Sequence, residues 1–162
     1  MIFNKEMGSY LNKITINSNL NETSDSNDLR ILQGVNCIGE PFFYLEDNCC
    51  NISNKNTTNS TGENLMQLEW DCNEIYINSS EDSIALLEAG LSMVKLIKDI
   101  LKTKYSSQSF DIVMSFDDGK EFEVSPSVTV RFYAIRNNVT LISHDKLALE
   151  EFNEAVLIEF VN

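Results

Sequence analysis

The residues best equipped for chemistry fall late in the chain. Asp111, Asp117, Asp118, Glu121 and Glu123 gather around one predicted hairpin, and Arg131 and Tyr133 sit on its expected neighbour. Paired carboxylates act as acid and base when a cleft drives their pKa values apart. Here the acids alternate with apolar residues and are expected to face water. Asp117-Asp118-Gly119 faintly resembles the opening of a calcium loop, but an EF-hand needs about twelve residues with alternate oxygen ligands and a closing bidentate glutamate. This hairpin is shorter, and an Asp-Gly pair is ordinary turn chemistry. The single histidine, His144, could act as a general base, yet the sequence pairs it with no nucleophile or orienting group. It reads as a surface histidine near a strand end.

Cys37, Cys49, Cys50 and Cys72 include no CxxC pair, and a zinc site normally shows paired ligands at short spacing. They read as free thiols of a reducing compartment. The six glycines are dispersed, so no phosphate-cradling loop is expected. No catalytic, cofactor or metal site is therefore predicted. Six Asn-x-Ser/Thr sequons begin at Asn21, Asn51, Asn56, Asn59, Asn78 and Asn138. In a chain so rich in asparagine they read as coincidental, because the first seven residues lack the apolar core of a secretory signal. No apolar run approaches the roughly 18 residues that span a bilayer, and the expected location is the cytoplasm.

These residues must be positioned by a small number of elements. Alternation over residues 10–17 predicts a first strand, with Ile14 and Ile16 on one face, and a polar stretch follows to Asp28. Two more strands are predicted at residues 29–38 and 42–46, joined through Gly39-Glu40-Pro41. Residues 47–63, nearly all Asn, Ser, Thr and Cys, predict a long exposed loop, because they offer too little apolar surface to offset their ordering entropy. Met66, Leu68 and Trp70, then Ile75 and Ile77, predict a hairpin turning at Asp71-Cys72-Asn73.

The strongest signal is a helix over residues 81–105, capped by Ser79 or Ser80, with Asp82 completing a capping box. Its polar residues trace one narrow stripe, which predicts a central helix covered on its other sides. A meander follows. Phe110, Ile112, Met114 and Phe116 alternate with polar residues, Phe122 and Val124 return after the Asp117–Lys120 turn, and Val128 to Ile135 forms the next strand. Asn137-Asn138 turns into residues 139–142, residues 144–153 predict a short helical turn, and residues 155–161 a last, buried strand. The fold class expected is α+β: one domain over residues 1–162, with a largely antiparallel sheet packed on one long central helix.

The chain carries 25 acidic and 12 basic residues, a formal net charge of −13. That balance excludes direct binding to nucleic acid or to an anionic membrane, both of which require a positive footprint. The excess is not uniform. Residues 81–105 hold four acids and four bases, residues 17–80 ten acids against two bases, and residues 106–162 ten against four. The acids of the Asp111 to Glu123 hairpin, with Arg131 and Tyr133, have the composition of a protein interface: aromatic and arginine residues inside a charged rim.

The long helix over residues 81–105 and the meander through residues 110–142, including Arg131-Phe132-Tyr133 and Arg136-Asn137-Asn138, give an acidic α+β chain. This chain resembles the immunity proteins of bacterial polymorphic-toxin and contact-dependent growth inhibition systems. The resemblance is one of type and covers the second half of the chain. It implies an activity without catalysis, tight binding to one cognate toxin, often a basic nuclease domain, that blocks its active site or substrate access. Two other classes stay open from the sequence: a small enzyme or ligand-binding domain with a pocket between helix and sheet, and an acidic mimic of nucleic acid that inhibits a DNA-binding protein.

Overall fold

In the computed structural model, which describes residues 1–17, 29–48, 60–80, 82–120 and 123–162, the chain opens with a short strand, β1 (Ile2–Phe3), and a helix, α1 (Lys5–Asn17). The expected strand over residues 10–17 is thus helical. Met7, Tyr10 and Ile14 are the buried positions, spaced by three and four as one helical face requires. Asn4 caps the helix, its Oδ1 accepting the Met7 N–H at 3.0 Å.

A two-stranded sheet, β2 (Ile31–Val35) and β3 (Pro41–Leu45), matches the predicted hairpin around Gly39, which adopts φ +86°. Residues 18–28 and 49–59, which include most of the expected polar loops as well as Cys49 and Cys50, lie outside the described residues. The loop predicted to reach residue 63 ends earlier, since helix α2 spans Gly62–Cys72. That helix replaces the strand expected at Met66 to Trp70. Its buried residues are Leu65, Met66, Glu69 and Cys72, a helical pattern in which the charged Glu69 occupies a core position. The expected turn at residues 71–73 is the end of this helix, which leads directly into strand β4 (Glu74–Ile77).

Helix α3 (Ser83–Lys104) follows. Its cap is Asp82, whose carboxylate accepts the Ile84 N–H at 2.9 Å, and Ser80 supports it by accepting the Asp82 N–H. Neither Ser79 nor Ser80 fills the cap position assigned to it from sequence. Leu86, Leu87, Gly90, Val94, Ile97 and Leu101 form the buried face, while Leu91, Leu96 and Ile100 remain half-buried.

Strands β5 (Phe110–Asp117), β6 (Ser127–Ala134) and β7 (Ala155–Val161) complete the fold, with helix α4 (Lys146–Leu149) before β7. The main sheet is antiparallel throughout, in the order β1-β7-β5-β6-β4. The molecule is therefore α+β. Of the strand expected at Phe122 and Val124, only Val124 is among the described residues, and it is not in a strand. Val124 lies in a turn, its N–H bonded to the Gly119 carbonyl at 3.0 Å. Glu123 has φ +53°, and residues 121–122 lie outside the described residues. Nor do residues 139–142 form a strand. Asn137 and Asn138 both take positive φ, the signature of a tight two-residue turn, but only the Arg136–Val139 bridge follows it.

The sheet has two faces of different character. On the first, Phe110, Ile112, Met114, Phe116, Val128, Val130 and Phe132 pack on α1 and α3. Each fully buried aliphatic or aromatic side chain here contributes about 1.5–3 kcal/mol. On the second, Val113, Tyr133, Val156 and Ile158 pack on Met66 of α2 and Leu149 of α4.

Glu69 fastens the small hairpin to this body. Its carboxylate receives the Phe43 and Ala134 N–H groups and both terminal nitrogens of Arg136, each at 2.8 Å. Asn73 adds bonds to Phe43, Leu45 and Phe132. Burial raises the Glu69 carboxyl above its ordinary range, against the opposing pull of Arg136 and the two backbone donors.

Candidate partner-binding face

Strand parity and register decide which residues share the second face. One row across the sheet reads Tyr133, Asp111, Phe160. The next reads Glu74, Arg131, Val113, Ile158, and the third reads Tyr76, Thr129, Ser115, Val156. The first row is roofed by Trp70 and the segment around Leu141 and Ile142. The third is open over β4, β6 and β5, where Tyr76 is 58% exposed and Ser115 and Thr129 are half-exposed, while Val156 of β7 is buried.

Of the residues singled out from sequence, Asp111 and Tyr133 have the expected parity, but both are fully buried and present nothing to a partner. The roof was invisible as long as residues 66–70 read as a strand. The Tyr133 hydroxyl donates to Asp111 Oδ2 at 2.7 Å, and His144 Nε2 lies 2.8 Å from the same oxygen. His144 is therefore tied down, with Asp111 as the orienting group that the sequence had not supplied. Its ring also packs against Phe160, 4.6 Å between centroids. Burial and the Asp111 carboxylate together push the Tyr133 hydroxyl well above its usual range.

Asp117 lies on the second face at the open end, and its Oδ1 accepts the Gly119 N–H at 2.8 Å. Asp118 turns toward the first face, where the Tyr10 hydroxyl donates to it at 2.6 Å and the Lys120 ammonium pairs with it. Those two donors hold its carboxyl down at about 2. Glu123 is exposed in the turn, and Glu121 lies outside the described residues. Arg131 pairs with Glu74 across the strands and lies 5.1 Å over the Trp70 ring. Of the seven residues, Asp117 and Arg131 lie on the second face, Glu123 is exposed in the turn beyond β5, Asp111 and Tyr133 are buried, Asp118 braces a turn, and Glu121 lies outside the described residues.

Between the roof and the open end lies a cleft of about 50 Å³. Trp70 and Phe152 line it together with Ser115, Thr129, Arg131 and Glu154. A second cleft, of about 210 Å³, lies between the small hairpin and β4, with Glu46, Asp47 and Glu74 among its lining and Arg30 as its base. Arg30 is paired with Glu46 at 3.5 Å, so the second cleft is acidic in balance, whereas the first has one charge of each sign in its lining, Arg131 and Glu154.

The sequence reading missed Trp70, Glu74, Tyr76, Phe152 and Glu154. Two signals were present: Tyr76 alternates with the core residues Ile75 and Ile77, and Glu150-Glu151-Phe152-Asn153-Glu154 sets an aromatic among acids. Among the described residues, no group of three or more His, Cys, Asp or Glu side chains could hold a metal ion, and no helix is long and apolar enough to cross a membrane. No protein-family model matches the chain, and neither a curated protein nor a solved structure matches it.

Proposed function

We propose that the protein is an immunity-type inhibitor that binds a basic protein partner, a cognate nuclease toxin domain, through the open half of the second sheet face. One observation carries this reading. The open row presents Tyr76, Ser115 and Thr129, with Asp117 following Ser115 on the same face of β5 and Glu154 lining the adjoining cleft, while the cations of this region are already engaged, Arg131 by Glu74 and Lys120 by Asp118. A surface of this kind attracts a positively charged active site and competes there with phosphate. In this reading α3 is the central support of the fold and stands apart from the contact.

A second reading, a small enzyme or ligand-binding domain, draws on the His144–Asp111–Tyr133 cluster. It is less favoured because the space between α3 and the sheet, where its pocket was expected, is filled by the first-face core.

The test is to mix the purified protein with the toxin domain encoded beside its gene. A stoichiometric complex that silences the toxin is expected, with association slowing as salt rises because rim charges act over about a Debye length. A toxin that stays fully active and elutes separately overturns the reading.

A further inference from the structure

The cleft beneath Trp70 is too small for a cofactor or metabolite. Sites for small molecules run to about 300–1,000 Å³, and this one has about 50 Å³. It has room for one side chain. Its walls include Ile142, Phe152 and Val156, and its polar residues are Ser115, Thr129, Arg131 and Glu154. Phe152 is 39% exposed and Glu154 is exposed. Glu154 takes part in none of the ion pairs among the described residues. The one cation in the lining, Arg131, is matched by Glu74, which leaves Glu154 as the unbalanced charge.

Each class of side chain can be weighed against that lining. An anion would meet Glu154 and the field of a chain with net charge −13. A purely apolar side chain would strip water from two hydroxyls and a carboxylate without replacing their hydrogen bonds. A lysine or arginine has an aliphatic stem for the apolar walls and a cationic head for the carboxylate.

We infer that this cleft is the anchor pocket of the binding face and receives one lysine or arginine side chain of the partner. The inference rests on the inhibitor reading for the identity of that partner. The pocket's chemistry can be tested without it. Trp70 is the chain's single tryptophan, so its indole signal reports on the cleft alone.

The experiment titrates the full-length protein with N-acetyl-arginine amide and N-acetyl-lysine amide, and with the norleucine and glutamate analogues as controls. It follows the Trp70 indole and the Ser115 and Thr129 amides by NMR. Saturable shifts are expected for the two cations only, and they should be lost in Glu154→Gln. That substitution keeps the main-chain carbonyl that accepts the Asn4 side-chain N–H at 2.8 Å, so the fold is retained. Equal shifts with norleucine, or cation shifts unchanged in Glu154→Gln, overturn the pocket, as does the absence of any shift.

With the toxin domain, Glu154→Gln and Phe152→Ala should each weaken binding at least about tenfold, the scale of one lost anchor contact. If wild type binds the toxin and both variants bind equally well, the pocket fails and the inhibitor reading stands. If the cationic amides bind but the toxin does not, the inhibitor reading fails and the pocket stands.

Discussion

One hydroxyl, that of Tyr133, serves three groups: it donates to Asp111 and accepts the N–H groups of Leu141 at 3.1 Å and Ile142 at 3.4 Å. Residues 139–142 have no strand partner beyond one bridge, so this oxygen substitutes for a ladder. Tyr133→Phe leaves a buried carboxylate and two amides short of a partner and should cost about 1–3 kcal/mol, measured by urea denaturation. Asp118 offers a pH test. Its folded value of about 2 lies below the roughly 3.9 of an unfolded aspartate, so its stabilisation is present above pH 4 and is lost as the pH falls toward 2. Asp118→Asn should be less stable than wild type at pH 6, with the two curves drawing together as the pH falls through about 2. Unfolding midpoints taken at steps across that range check it. The parity of Asp111 and Tyr133 was legible in the alternation of β5 and β6. Their burial was not, because it depends on a helix that the same alternation rule misassigned.

At the scale of elements, β5, β6 and β7 read correctly from their sequence, whereas two helices were read as strands and the strands expected at Val124 and residues 139–142 did not form. Met66, Leu68 and Trp70 alternate, but the residues that decide the element are Leu65, Met66, Glu69 and Cys72. A glutamate at a core position breaks the apolar pattern, and only its partners Arg136, Phe43 and Ala134, distant in sequence, explain its place. In α1 the signal was split in the same way, with Met7 and Tyr10 on the helical face and Ile14 and Ile16 imitating a strand. Helix α3 was legible because its apolar content runs for six turns. It packs tightly on the sheet at Gly90, where an added Cβ would lie 2.7 Å from Val128 Cγ1 and 2.9 Å from Met114 Sδ. In an exposed helix Gly→Ala gains up to about 1 kcal/mol. Here Met114 can swing away, but the β-branched Val128 is stiff, and overpacking typically costs about 1–3 kcal/mol. Gly90→Ala should therefore destabilise the protein, read as a lowered urea midpoint with unchanged slope.

At the scale of the molecule, charge acts in opposite directions on folding and on binding. A net charge of −13 repels itself in the compact state, so added sodium chloride should raise the melting temperature of the free protein. The same salt should slow association with a basic partner. Calorimetry and stopped-flow mixing over one salt series check both. A salt-independent melting temperature would show that the acids are too dispersed to act together. The sequence disclosed the total charge and its absence from α3, but not that the open face has its cations already engaged.

The position of β7 bears on how the chain is made. It lies between β1 and β5, with Ile2 opposite Ile158 and Val113 opposite the same residue. During synthesis α3 and the β5–β6 pair leave the ribosome well before their neighbour exists. Until residues 155–161 emerge, β5 presents a bare edge and β1 has no strand to join, a state open to pairing with other chains. Pairing across so much sequence carries a large loop-closure entropy. The rate at which the nascent chain escapes aggregation is therefore set by the arrival and docking of one seven-residue strand.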